Sequence, residues 1–170
     1  MNNVILQPGD IFCTRNPMAL GRIIRSVQKF WDVDNSATYS HSGIILNELG
    51  GTFESLWKIR MNSLKEYRGE NIIIGRINNR STIQKLDAIQ KVRQRYEGKI
   101  YPFWRLPMHL FPPIAKLSLF DIPVCSELVA IYMKELGLID YWKGVNPDRI
   151  ADMISYWDDL EIIYEGSYYE

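Results

Sequence analysis

The chain has 170 residues, 46% hydrophobic and 24% charged, which suits one globular domain that buries a core without staples. Its 20 Lys and Arg balance its 20 Asp and Glu, so no basic excess is present to displace counterions from phosphates, and a nucleic-acid partner is not expected. Two cysteines and two histidines are too few for a disulfide framework and lack zinc-ligand spacing, so a zinc site is not expected.

The opening MNNVILQPGD has no basic region ahead of a long apolar one, and no apolar run reaches the length of a bilayer span. A cytoplasmic location without a transmembrane segment is the expectation. Residues 4–13, VILQPGDIFC, hold a Pro-Gly-Asp turn and read as an entry segment leading into a strand. Asn16 and Pro17 carry the cap-then-proline signature of a helix start, and Leu20, Ile23, Ile24, Val27 and Phe30 then follow at helical spacing. A polar loop leads to SHSGIILN, a strand. NELGG at 47–51 turns the chain, and TFESLWKI reads as a second strand forming a hairpin with the first.

NIIIGRI at 71–77 is a buried strand by its β-branched content. Ser81 and Gln84 have capping-box spacing before a helix expected to turn Ile83, Leu86, Ile89, Val92 and Tyr96 to the core and to stop at Gly98. From 99 to 120 the chain is rich in proline and aromatic residues, which rules out one continuous helix and suggests a binding loop or lid. VCSELVAIYMKELG reads as a helix ending at Gly137. Asn146 and Pro147 open a shorter helix through about residue 157, and DLEIIYE reads as a final strand. With no repeat, linker or low-complexity tract, residues 1–170 form one α+β domain in this reading.

Cys125 follows Pro123 in the first turn of its helix, on one face with Leu128, Val129 and Tyr132. A sulfur there lies beside unpaired backbone N–H groups and the positive end of the helix dipole, an environment that favours thiolate and can hold an oxyanion. Without further support a buried free cysteine is a small hydrophobe, and Cys13, inside a strand pattern, is read that way. His41 opens a strand, from which an imidazole can meet a helix packed on the sheet. His109, in the proline-rich stretch, is read as structural.

The third group, needed to orient the imidazole, is Glu54 if the hairpin allows it. A two- or four-residue loop centred on Glu48 and Leu49 sets Glu54 opposite Gly43, diagonal to His41 on the same face, with room left by the glycine. A five-residue loop without a bulge would send Glu54 to the other face.

GDIF at 9–12, SHSGIIL at 40–46, FESL at 53–56 and CSELVAIY at 125–132, with looser matches in YEGKIYPFW at 96–104 and NPDRIADM at 146–153, resemble the circularly permuted papain-like hydrolases, the YiiX-type branch of the NlpC superfamily. In that branch the histidine strand precedes the cysteine helix, as here. The resemblance implies a small antiparallel sheet or half-barrel packed against the cysteine-bearing helix, with Cys125 as nucleophile, His41 as base and Glu54 as third polar residue. It implies a cysteine peptidase or amidase that cleaves an amide or isopeptide bond, cell-wall peptides among the candidates, through a thioester and without cofactor. Ser42 stands where the family often has a hydrophobic residue, and 101–113 follows no family pattern. Two rival readings keep the same pocket. One is a lipid acyltransferase, thioesterase or phospholipase resembling the lecithin:retinol acyltransferase type, its acyl chains touched by Tyr101, Phe103, Trp104, Leu106, Leu110 and Phe111. The other is a non-catalytic binding domain.

Overall fold

The computed structural model describes residues 4–15, 38–100 and 122–169. The helix expected from Asn16 onward, His109 and the aromatic residues proposed to touch acyl chains lie outside them.

Six antiparallel strands form one open sheet. They are β1 (Ile11–Thr14), β2 (His41–Ile45), β3 (Gly51–Ser55), β4 (Ile59–Ser63), β5 (Asn71–Ile77) and β6 (Leu160–Ser167), in the spatial order β4-β3-β2-β1-β5-β6. Three helices complete the described chain: α1 (Thr82–Tyr96), α2 (Cys125–Glu135) and α3 (Pro147–Tyr156). The architecture is α+β, as expected. None of these helices is long and apolar enough to cross a membrane.

Every strand residue of β1 and β2 is buried, so the sheet is covered on both sides at its centre. Alternation then sorts the side chains into two cores. Ile11, Cys13, Ile44, Phe53, Ile73 and Ile77 share the larger core with the three helices. There α2 lies along β2 and β3, α3 lies across β1, β5 and β6, and α1 packs on α2. Phe12, Ile45, Ile72 and Ile74 point the other way, into a smaller core closed by Leu6, Leu64, Tyr67 and Tyr168.

Two expected elements differ in detail. TFESLWKI is not one strand. It breaks after Ser55, and β4 returns antiparallel from Ile59, with Ser55 paired to Ile59 across a tight turn. The segment after α1 then pairs with the start of β4, Gly98 N–H donating to the Ile59 carbonyl at 2.8 Å and Ile59 N–H to the Lys99 carbonyl at 2.9 Å.

The buried face of α1 is Lys85, Ala88, Ile89, Val92 and Tyr96, while Ile83 and Leu86 are exposed. The expected set advanced by three residues at a time, and each such step falls about 60° short of a turn, so Ile83 ends up opposite Val92. The capping box itself is present, with Ser81 and Gln84 exchanging hydrogen bonds. Lys85 is drawn into the buried face by its stem, which packs against Gly9.

The entry segment is tied down by charge. Asp10 is fully buried and takes both oxygens to Arg76 of β5, at 2.9 Å from Nε and 2.8 Å from Nη2, while accepting from the Gln7 N–H at 2.8 Å. Arg76 also donates to the Ile5 carbonyl at 2.7 Å. Asp10→Asn keeps the volume but removes the charge that this forked contact needs, and a loss of about 1–2 kcal/mol is expected in urea denaturation. An unchanged midpoint would show that the pair contributes only local order.

Candidate active site

The site grows from the β2–β3 hairpin. Asn47 opens the turn, its Oδ1 accepting from the N–H groups of Leu49 and Gly51 at 3.0 Å each, and Gly50 takes a positive φ of 76° that suits a glycine. Leu46 N–H donates to the Gly51 carbonyl at 2.7 Å, which leaves a four-residue loop. The register that follows pairs Gly43 with Glu54. It is the first of the two loop alternatives, and it puts Glu54 on the His41 face.

Phe12 pairs with Gly43 on the other side, so Phe12, Gly43 and Glu54 form a row across three strands. A Cβ on Gly43 would stand 2.7 Å from the Phe12 ring and 3.1 Å from the Glu54 Cβ. The space left by the glycine is thus filled by the Phe12 edge, which also meets the His41 ring at 6.1 Å between centroids.

His41 Nε2 and Glu54 Oε2 are hydrogen-bonded, both residues being buried. Glu54 accepts twice more, from Thr52 Oγ1 at 2.6 Å and from the Tyr67 hydroxyl. Tyr67 comes from a 3-10 turn, Leu64–Tyr67, and its ring stacks on the imidazole at 5.5 Å and 27°. Neither Thr52 nor Tyr67 was among the expected site residues. Thr52 was readable, two residues before Glu54 and so on its face. Tyr67 lies in a stretch without periodicity, where no local signal points to the site.

Cys125 opens α2 with 3% of its surface exposed. The helix start is fastened from two directions. Ser55 Oγ, at the end of β3, donates to the Pro123 carbonyl at 3.3 Å. On the other side Ser126 Oγ donates to the Val145 carbonyl at 2.7 Å, and the Glu127 carboxylate accepts from the N–H groups of Val124 at 3.1 Å and Gly144 at 2.8 Å. The Cys125 thiol lies close enough to His41 to raise the pKa of the imidazole. Because Nε2 is engaged by Glu54, the nitrogen left for sulfur is Nδ1.

Alternation roots His41 and Glu54 on the face of the smaller core, opposite the body of α2. The first turn of α2 therefore meets the imidazole at the end of β2 rather than through the sheet face that the helix covers.

Burial works against a charged imidazole. The hydrogen bonds with Cys125 and Glu54, and their negative charge, outweigh it and raise the His41 pKa well above the usual histidine range. For Glu54 burial alone would raise the pKa, but the bonds from His41, Thr52 and Tyr67 lower it on balance. Cys13 contrasts with this. Burial, then the nearby Asp148 charge, push its thiol well up, and its sulfur donates to the Pro147 carbonyl at 3.4 Å. The arrangement of His41, Glu54 and Cys125 can move a proton between sulfur and imidazole and offers first-turn N–H groups of α2 to a developing oxyanion.

Two outcomes follow from this geometry. Gly43→Ala should cost about 1–3 kcal/mol by overpacking Phe12 against Glu54, read from thermal and urea melts; a neutral result would mean that the row relaxes freely. The pair also sets a pH dependence. Glu54, lowered on folding, contributes stability above its unfolded value that is lost as pH falls through the folded one. His41, raised on folding, contributes stability below about pH 6.5 that is lost as pH rises through its folded value. Urea midpoints should therefore be highest between about pH 5 and 6.5 and decline on both sides, and Glu54→Gln should flatten the acid side.

No protein-family model matches the chain, and no curated protein matches it in sequence. Among solved structures, the chain is similar to the metalloprotein YiiX of Escherichia coli O157:H7, DUF1105, with a TM-score of 0.56 and 20% identity over 97% of this chain and 89% of that one. Among the described residues here, no three His, Cys, Asp or Glu side chains are grouped as ligands for a metal ion, and His41 Nε2 and Glu54 already bond each other. The residues described do not fit a metal centre. The likeness is one of fold: this chain has a YiiX-like α+β architecture.

Proposed function

We propose that the chain is a cysteine hydrolase with a circularly permuted papain-like fold, cleaving an amide or isopeptide bond such as those of cell-wall peptides. The observation that carries the proposal is the buried His41–Glu54 pair with Cys125, at a helix start, beside the same imidazole. The order of the parts also supports it, since the histidine strand precedes the cysteine helix in the chain.

In this mechanism His41 Nδ1 takes the thiol proton and the Cys125 sulfur attacks the carbonyl carbon. Electrons move onto the carbonyl oxygen, which the first-turn N–H groups of α2 hold. As the tetrahedral species collapses, the C–N bond breaks, and the amine leaves with the proton returned by the imidazolium. Water, deprotonated by His41, then attacks the thioester, releasing the acid and restoring the thiol. Glu54 keeps Nε2 as the donor of the ring, so that Nδ1 is the nitrogen that exchanges protons with sulfur.

The test is the pH dependence of iodoacetamide alkylation, read at each cysteine by mass spectrometry. Cys125 is expected to alkylate rapidly near neutral pH, Cys13 slowly, and His41→Ala to slow Cys125 by about 100-fold. Equal rates at Cys125 with and without His41 would refute the hydrolase reading.

A further inference from the structure

We propose that Tyr67 is a positioning residue of this site, its hydroxyl holding Glu54 in place as a carboxylate while its ring fixes the plane of the His41 imidazole. The inference rests on the hydrolase reading and extends it to a residue outside the Cys-His-Glu set.

Tyr67 touches both members of the pair at once. Its hydroxyl donates to Oε2, the same carboxylate oxygen that meets His41 Nε2, and its ring stacks on the imidazole. The residue is itself held. Leu64, at the start of the same turn, is fully buried, Ser63 Oγ caps the turn by accepting from the Lys65 N–H at 3.3 Å, and Phe12 lies 5.7 Å from the Tyr67 ring. Phenylalanine would satisfy the packing, so the hydroxyl needs its own explanation. A buried carboxylate is stable only when its lone pairs are occupied, and Tyr67 with His41 fills Oε2 while Thr52 fills Oε1.

The hydroxyl also keeps its proton. Burial, then the charge and hydrogen bond of Glu54, hold its pKa far above the usual tyrosine range, so it remains a donor at any working pH. The titratable groups around the cluster are Glu54 from β3, His41 from β2, Cys125 from α2 and Glu66 beside Tyr67 in its own turn. Of these, Glu54 is the group to which Tyr67 donates directly. Without that donor the carboxylate loses part of what favours its charge and is free to rotate, and the imidazole loses its reference.

Tyr67→Phe tests this, because it keeps the ring and removes only the hydroxyl. Two quantities are read: the Glu54 carboxyl titration by 13C NMR, and the pH profile of Cys125 alkylation. The Glu54 midpoint is expected to rise by about one unit, and alkylation near neutral pH to slow by about tenfold. A variant that melts earlier but superposes on wild type in both measurements would overturn the proposal and leave Tyr67 a packing residue. Should Tyr67→Phe fail to fold, 3-fluorotyrosine placed at position 67 supplies a stronger donor. The Glu54 midpoint must then fall, and an unmoved one overturns the proposal. The Glu54 titration needs no reactivity at Cys125, so it separates this inference from the hydrolase reading, which stands or falls on His41→Ala.

Discussion

A carboxylate without exposed surface lies at the centre of this molecule, and its surroundings make sense as the means of keeping it charged. Burial alone favours the neutral form of Glu54 on β3. The residue is kept ionised by donors from three places in the chain: Thr52 on its own strand, His41 on the neighbouring strand and Tyr67 from the turn beyond β4. Each donor depends on a different feature of the fold. Thr52 needs only alternation. His41 needs the four-residue hairpin loop that sets Gly43 opposite Glu54, and Tyr67 needs β4 to return along β3 and deliver the 3-10 turn beneath the sheet. The hydrogen bond and the charge of Glu54 in turn help to raise His41.

The two-core layout explains how a helix and a histidine rooted on opposite sheet faces can share one site. Helix α2 is buried almost all round, so its packing does not depend on one apolar stripe. Its body is set by the larger core, while the position of its first turn is set by polar contacts to Ser55, Val145 and Gly144. Those contacts hold Cys125 at the end of β2, where the side of the sheet matters less than the distance to its edge. Packing and placement are therefore carried by different residues of the same helix: Leu128, Val129 and Tyr132 fill the core, and the polar residues flanking Cys125 fix the first turn.

Much of this was legible in the sequence because it rests on local rules. Asn47 and Gly50 in a short turn, Ser81 with Gln84, and Asn146 with Pro147 are signals whose physics is complete within a few residues, and each has the expected structure. The Gly43–Glu54 register was one of two readings, and only the hydrogen bond from Leu46 to Gly51 decides between them. What was not legible is non-local. The break after Ser55 looks like continuous strand sequence, and it is β4's pairing with β3 and with the segment after α1 that turns the chain there. The buried face of α1 departs from the expected one because hydrophobic residues three apart drift around the helix, and a lysine at position 85 stands within the true stripe. Tyr67 carries no motif at all. Its part in the site exists only once three strands are in register.

Sequence identity constrains this fold weakly. The site asks for few identities: a glycine where a side chain would strike Phe12, a carboxylate paired across from it, an imidazole two residues before that glycine, and a small sulfur-bearing residue at a helix start. The remaining core positions ask for volume and alternation, which many combinations of Ile, Val, Leu and Phe satisfy. A chain built on such rules can share its architecture with a protein only 20% identical to it over nearly its full length. In such a comparison the positions to weigh are those with two simultaneous constraints. Gly43 bounds both Phe12 and Glu54, and Tyr67 meets both His41 and Glu54, so either residue tolerates fewer replacements than any single hydrophobic position around it.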